Sequence, residues 1–108
     1  MATLEISEPM FAETIESNKL VILDFWAEWC GPCKAFKPLV EKLEKIGYPV
    51  YFVDVDGDPV LAESHQIRSV PSIIVEQNGQ VVERMVGVQD PVTLASKFEL
   101  YSPLEDES

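Results

Sequence analysis

Leu20-Val21-Ile22-Leu23-Asp24-Phe25-Trp26-Ala27-Glu28-Trp29-Cys30-Gly31-Pro32-Cys33 runs from a continuous apolar stretch into the two cysteines of the chain. The run from Leu20 to Leu23 reads as a buried strand, and helical periodicity sets in after Cys30, so that cysteine falls at a strand-to-helix corner. A helix start suits a thiolate. The N–H groups of the first turn and the positive end of the helix dipole stabilise negative charge on sulfur and lower its pKa from about 8.5. Side chains three positions apart on a helix have Cβ atoms roughly 5–6 Å apart, and a modest adjustment reaches the roughly 3.5–4.5 Å of a disulfide. The Cys30–Cys33 pair can therefore open and close without refolding. Pro32 lacks an N–H, but in a first turn that donor has no intrahelical partner anyway.

The 108 residues, 46% of them hydrophobic, suit a single domain, expected over 1–101. With 8 Lys and Arg against 19 Asp and Glu, the net charge of −11 argues against a basic face for nucleic acid or anionic membrane. The first residues, Met1-Ala2-Thr3-Leu4-Glu5-Ile6, show neither a basic n-region nor a long apolar h-region, and no apolar run approaches spanning length. A soluble, cytoplasmic, monomeric protein is the expectation. In that setting a lone C-x-x-C signals redox catalysis more than stapling. Two cysteines and the single His65 fall short of a closed zinc site, so no metal is expected, and His65 is read as a surface residue.

Around the corner, Thr3 to Ile6 alternates like an edge strand, and Ser7 caps a short helix carrying Pro9. The helix after Cys30 presents Phe36, Leu39, Val40, Leu43 and Ile46 as an apolar stripe, with Lys37, Glu41, Lys42 and Lys45 outside, and stops at Gly47. Val50 to Val55 is a strand parallel to the first, because a helical crossover separates them. Asp58-Pro59 and Asp90-Pro91 each have the N-cap and first-turn proline signature of a helix start. Between them, Pro71–Val75 and Val81–Val86 flank Asn78-Gly79, a strong hairpin signal. The last helix offers Val92, Leu94, Ala95, Phe98 and Tyr101 to the core, and the acidic stretch 102–108 is expected to fray. The alternation of elements gives an α/β fold with helices on both faces of a mixed sheet.

The block from Asp24 to Lys34, with Val70-Pro71-Ser72 downstream, resembles the active-site block of the thioredoxin family. The resemblance implies a five-stranded mixed sheet flanked by four helices, with the cysteine corner at the end of the middle strand. It implies a protein-disulfide reductase in which Cys30 is the nucleophile and Cys33 resolves, with Gly31 and Pro32 setting the redox character. It also implies that Asp24, a carboxylate expensive to bury unpaired, lies beneath the cysteines and takes the resolving thiol's proton. Pro71 would be a cis-proline facing the corner. Val70 would offer its backbone to an extended substrate, Gly87 would let that chain approach, and Val55 and Val88 would widen an apolar rim. Trp29, beside the nucleophile, reads as a substrate-facing platform, whereas Trp26 reads as core.

Three positions depart from the family pattern. Phe52 stands where many members carry a lysine near the aspartate, which predicts a more readily protonated Asp24 and slower deprotonation of Cys33. Ser69 replaces a usual glycine, and Glu76 stands where an aromatic is common. The expected partners are disulfide-containing proteins and an NADPH-dependent flavoprotein, thioredoxin reductase, as electron donor, with no cofactor resident in the chain. Two rivals remain at this level: a disulfide isomerase or oxidase, and a scaffold subunit that binds a partner without redox turnover.

Overall fold

The computed structural model describes residues 20–100. The expected first strand and capped helix, Tyr101 and the acidic tail lie outside them. Within that range run β1 (Leu20–Trp26), α1 (Gly31–Lys45), β2 (Val50–Asp54), α2 (Pro59–Ser64), β3 (Ser72–Gln77), β4 (Gln80–Val86) and α3 (Pro91–Leu100). The strands order as β2-β1-β3-β4, with β1 parallel to β2 and the other neighbours antiparallel. Of the five strands and four helices implied by the resemblance, four strands and three helices are thus described.

The apolar composition of β1, interrupted only by Asp24, follows from its place between β2 and β3 and from cover on both faces. On one face, Leu20, Ile22, Val50, Phe52, Ile73 and Val75 pack with Phe36, Val40 and Leu43 of α1 and with Leu94 and Phe98 of α3. On the other, Val21, Leu23, Phe25, Val53 and Ile74 pack with Leu61 and Ala62 of α2. Residues of one parity face one helix layer because strand side chains alternate.

Local sequence signals set most boundaries. Asp58 accepts from the Leu61 N–H at 3.3 Å, and Asp90 accepts from the Thr93 N–H at 3.1 Å, each with proline next in the chain. Asn78 and Gly79 both take positive φ, 55° and 81°, which a two-residue hairpin with the right twist requires. At the end of α1, Gly47 takes φ 117°, and its N–H and that of Tyr48 donate back to Glu44 and Leu43 in a Schellman closure. Ile46, expected in the buried stripe, is 71% exposed, because it is the cap residue beyond the last turn. Val92, expected to face the core, is 72% exposed in the first turn of α3, where Leu94 and Phe98 take the inward positions. Val55 and Pro71 lie just outside the strands they were expected to join.

Candidate active site

The β1 strand ends at Trp26, and Ala27 to Trp29 form the turn that delivers Cys30 to the start of α1. Cys30 is the N-cap of that helix, and its sulfur accepts from the Cys33 backbone N–H at 3.1 Å. One of the first-turn donors is thus aimed at Cys30 Sγ, where negative charge on a thiolate would be stabilised. Cys30 and Cys33 are joined in a disulfide, with Cα atoms 5.3 Å apart.

By its place at a strand-to-helix corner alone, Cys30 would be exposed. Instead it is 5% exposed and Cys33 2%, because Ala27, Trp26, Val55 and Val70 close around the pair in the disulfide state. Its neighbours Trp29 and Gly31 are exposed, as are Glu28 and Pro32. The Trp29 indole N–H donates to Asp56 Oδ2 at 2.6 Å, a bond that fixes the exposed ring beside the sulfur. Asp56 carried no such role in the sequence reading, since a contact spanning 27 positions leaves no local signature.

Opposite the cysteines, the Val70–Pro71 peptide bond is cis, and the Val70 carbonyl oxygen lies 3.7 Å from Cys30 Sγ. Trp29, Val55, Ile67, Arg68, Ser69 and Val70 line a small cleft of about 120 Å³ beside the pair. Gly87, at φ 92°, donates its N–H to the Pro71 carbonyl at 2.8 Å, which ties β4's end to the proline. The structure thus brings Trp29, Val55 and Val70 together at one cleft. Val88 is 54% exposed and is not among that cleft's walls.

Asp24 is 2% exposed on the α1 face of the sheet, two residues before Trp26. Its cross-strand partners are Phe52 on β2 and Ile73 on β3, both fully buried. Lys37, expected among the outward residues of α1, is half-buried instead: its ammonium lies 4.1 Å from the Trp26 ring centroid and 5.1 Å from that of Phe52. A cation therefore stands over this face, supplied by the helix and not by the strand.

His65 is also misplaced by the sequence reading. It is 8% exposed, and its Nε2 lies 2.5 Å from Oε2 of Glu76, 4% exposed. The family pattern's aromatic position is here one half of a buried polar pair.

The family model described as Thioredoxin matches residues 2–99 of this chain. The chain belongs to the thioredoxin family. A thioredoxin from Mycobacterium bovis is 38% identical over 97 residues, covering 86% of this chain and 84% of that protein. A bifunctional thioredoxin reductase/thioredoxin from Mycobacterium leprae is 40% identical over 96 residues, 85% of this chain but 21% of that longer protein. Among solved structures, a thioredoxin variant from Halobacterium salinarum superposes with a TM-score of 0.83 at 31% identity, covering 94% of this chain and 96% of that one. This thioredoxin is a thiol-disulfide oxidoreductase and protein-disulfide reductase, with Cys30 and Cys33 as its redox pair. No helix among the described residues is long and apolar enough to cross a membrane.

Proposed function

We propose that Cys30 is the attacking and Cys33 the resolving sulfur, and that Asp24 is the base between them. The Cys30 thiolate attacks one sulfur of a protein disulfide, forms a mixed disulfide and releases the other substrate sulfur as a thiolate. Asp24 takes the proton of Cys33. The Cys33 thiolate then attacks Cys30 Sγ, which expels the second substrate thiolate and closes Cys30–Cys33. Two electrons pass to the substrate and the pair is left oxidised.

The observation that carries this assignment is the 3.1 Å hydrogen bond from the Cys33 N–H to Cys30 Sγ, because it favours the thiolate at Cys30 and not at Cys33. The cleft beside Cys30, with the Val70 carbonyl at its edge, suits an extended substrate segment seated by backbone hydrogen bonds, with Trp29 as its apolar platform. Gly31 and Pro32 keep the residues between the sulfurs small and free of ionisable groups, in keeping with a reductant.

An NADPH-dependent flavoprotein, thioredoxin reductase, is the electron donor in this reading, and the reductase fused to the Mycobacterium leprae relative supports it. The proposed setting is a cytoplasmic monomer. Insulin reduction with a dithiol donor tests the roles. Cys30→Ser is expected to abolish turnover and mixed-disulfide formation, whereas Cys33→Ser is expected to trap substrate on Cys30. Trapping on position 33 in Cys30→Ser would contradict the assignment.

A further inference from the structure

Both ring nitrogens of His65 face acceptors. Nδ1 lies 2.9 Å from the Leu61 carbonyl oxygen and Nε2 2.5 Å from Glu76 Oε2. A neutral imidazole has one N–H, so with an ionised Glu76 it can satisfy only one of these contacts. Both are made together when the pair holds one proton more, as imidazolium against carboxylate or as a neutral ring against a carboxylic acid.

Among the described residues, the other groups named around the ring do not remove that requirement. From α2, the Ser64 hydroxyl lies 3.2 Å from Nδ1 but donates to the Leu61 carbonyl at 2.9 Å. From β1, the Phe25 ring packs 5.4 Å away. From β4, Arg84 Nη1 donates to the His65 carbonyl at 2.8 Å, and its charge opposes a charged ring. Burial is the largest influence and opposes the charged ring, yet the hydrogen bonds to Glu76 and Leu61 together with the Glu76 charge outweigh it and raise the imidazole above its usual range.

His65 does not line the cleft but just precedes the segment that walls it. His65 caps the C-terminal end of α2, the chain reverses at Gln66 with φ 57°, and Ile67 to Val70 then form one wall of the cleft beside Cys30. Glu76 belongs to β3, which is hydrogen-bonded to β1 in the sheet. We propose that His65 and Glu76 are positioning residues for substrate capture: their shared proton fastens the end of α2 to β3, fixes the wall formed by residues 67–70, and releases it when lost. This rests on the reading that the cleft beside Val70 seats the substrate chain.

His65 is the chain's one histidine, so its imidazole resonances can be followed by NMR without ambiguity. The midpoint is expected above the roughly 6.5 of a free imidazole, and the amides of residues 66–70 are expected to shift with that same midpoint. In insulin reduction, KM is expected to rise roughly fivefold across it with kcat unchanged, the factor that corresponds to one hydrogen bond of ordinary net strength. In Glu76→Gln the side-chain amide can donate to an unprotonated Nε2, so the KM step is expected to vanish while the fold is kept. The double variant His65→Phe/Glu76→Leu, apolar at both positions, is expected to lack the step as well, and serves should the single variant not fold.

Coincident KM profiles in the parent and the folded variant, or a His65 midpoint at or below about 6.5, would overturn the proposal. A purely structural pair would change stability and leave the KM profile alone. The cleft reading has its own test: a peptide trapped on Cys30 in Cys33→Ser must shift the amides of Ser69 and Val70. Unshifted amides there would fail the cleft reading and the proposal together, whereas shifted amides with coincident KM profiles would fail the proposal alone.

Discussion

Phe52 is the β2 partner of Asp24 across the sheet, so the buried carboxyl has an aromatic residue beside it on that side. The nearest cation placed on that ring is Lys37, delivered from α1 with its ammonium 5.1 Å from the ring centroid. Burial favours the protonated acid, and a cation on the same face works against it. Asp24 is expected to titrate above the free value of about 3.9, and Lys37→Met to move it higher. Carboxyl-carbon NMR on the parent and the variant measures both. Asp24→Asn is expected to slow the resolving step by about a hundredfold, the low end for general-base catalysis, while the first attack by Cys30 is little changed. Stopped-flow decay of a mixed disulfide separates the two steps.

The Trp29 indole is held by Asp56, and that bond is solvent-exposed. Its net contribution is therefore small, about 0.5–1 kcal/mol. Asp56→Ala is expected to raise KM for protein disulfides about two- to fivefold, with little change in kcat and a loss of stability by urea of no more than about 1 kcal/mol. Steady-state insulin reduction together with urea unfolding checks both parts.

At Gly87 the backbone sits at φ 92°, while a Cβ added there would meet nothing within 4 Å. The strain of a substitution is conformational and not steric crowding. Gly87→Val is expected to destabilise by about 1–3 kcal/mol, and Gly87→Asn by less, since asparagine tolerates positive φ better. Denaturant unfolding of the two variants gives the order.

The His65 proton also links stability to pH. The folded state holds it more tightly than the unfolded chain, because burial, the largest influence, is outweighed by the hydrogen bonds to Glu76 and Leu61 and by the Glu76 charge. That contribution is complete below the unfolded value of about 6.5 and is lost as pH rises through the higher folded value. The unfolding free energy is expected to fall with rising pH across that window, and His65→Phe/Glu76→Leu is expected to flatten the fall. Urea midpoints at a series of pH values provide the comparison.

What could be read from the sequence was what neighbouring residues encode. Asp58-Pro59, Asp90-Pro91 and Asn78-Gly79 state their caps and turn within two positions, and Cys30 to Cys33 states its chemistry within four. Strand order came only with the family resemblance, because periodicity says nothing of which strands lie side by side. Contacts between distant residues were missed for the same reason. His65 and Glu76 are 11 positions apart on different elements, and the polarity of each, taken alone, points to the surface. Lys37 was placed outside α1 by its charge, yet a long side chain can lay its ammonium over Trp26 and Phe52 while its helix position faces outward. Ile46 and Val92 erred the other way, as apolar residues at helix ends where the inward stripe no longer applies.

The ionisation of Cys30 in the reduced protein tests the account most directly. Alkylation by iodoacetamide followed against pH, with the modified cysteine identified by mass spectrometry, reports which sulfur is the anion and at what pH it forms. Modification of Cys30 first, with a midpoint below the roughly 8.5 of a free thiol, is the predicted result. Modification of Cys33 first, or a Cys30 midpoint at or above that value, would contradict it.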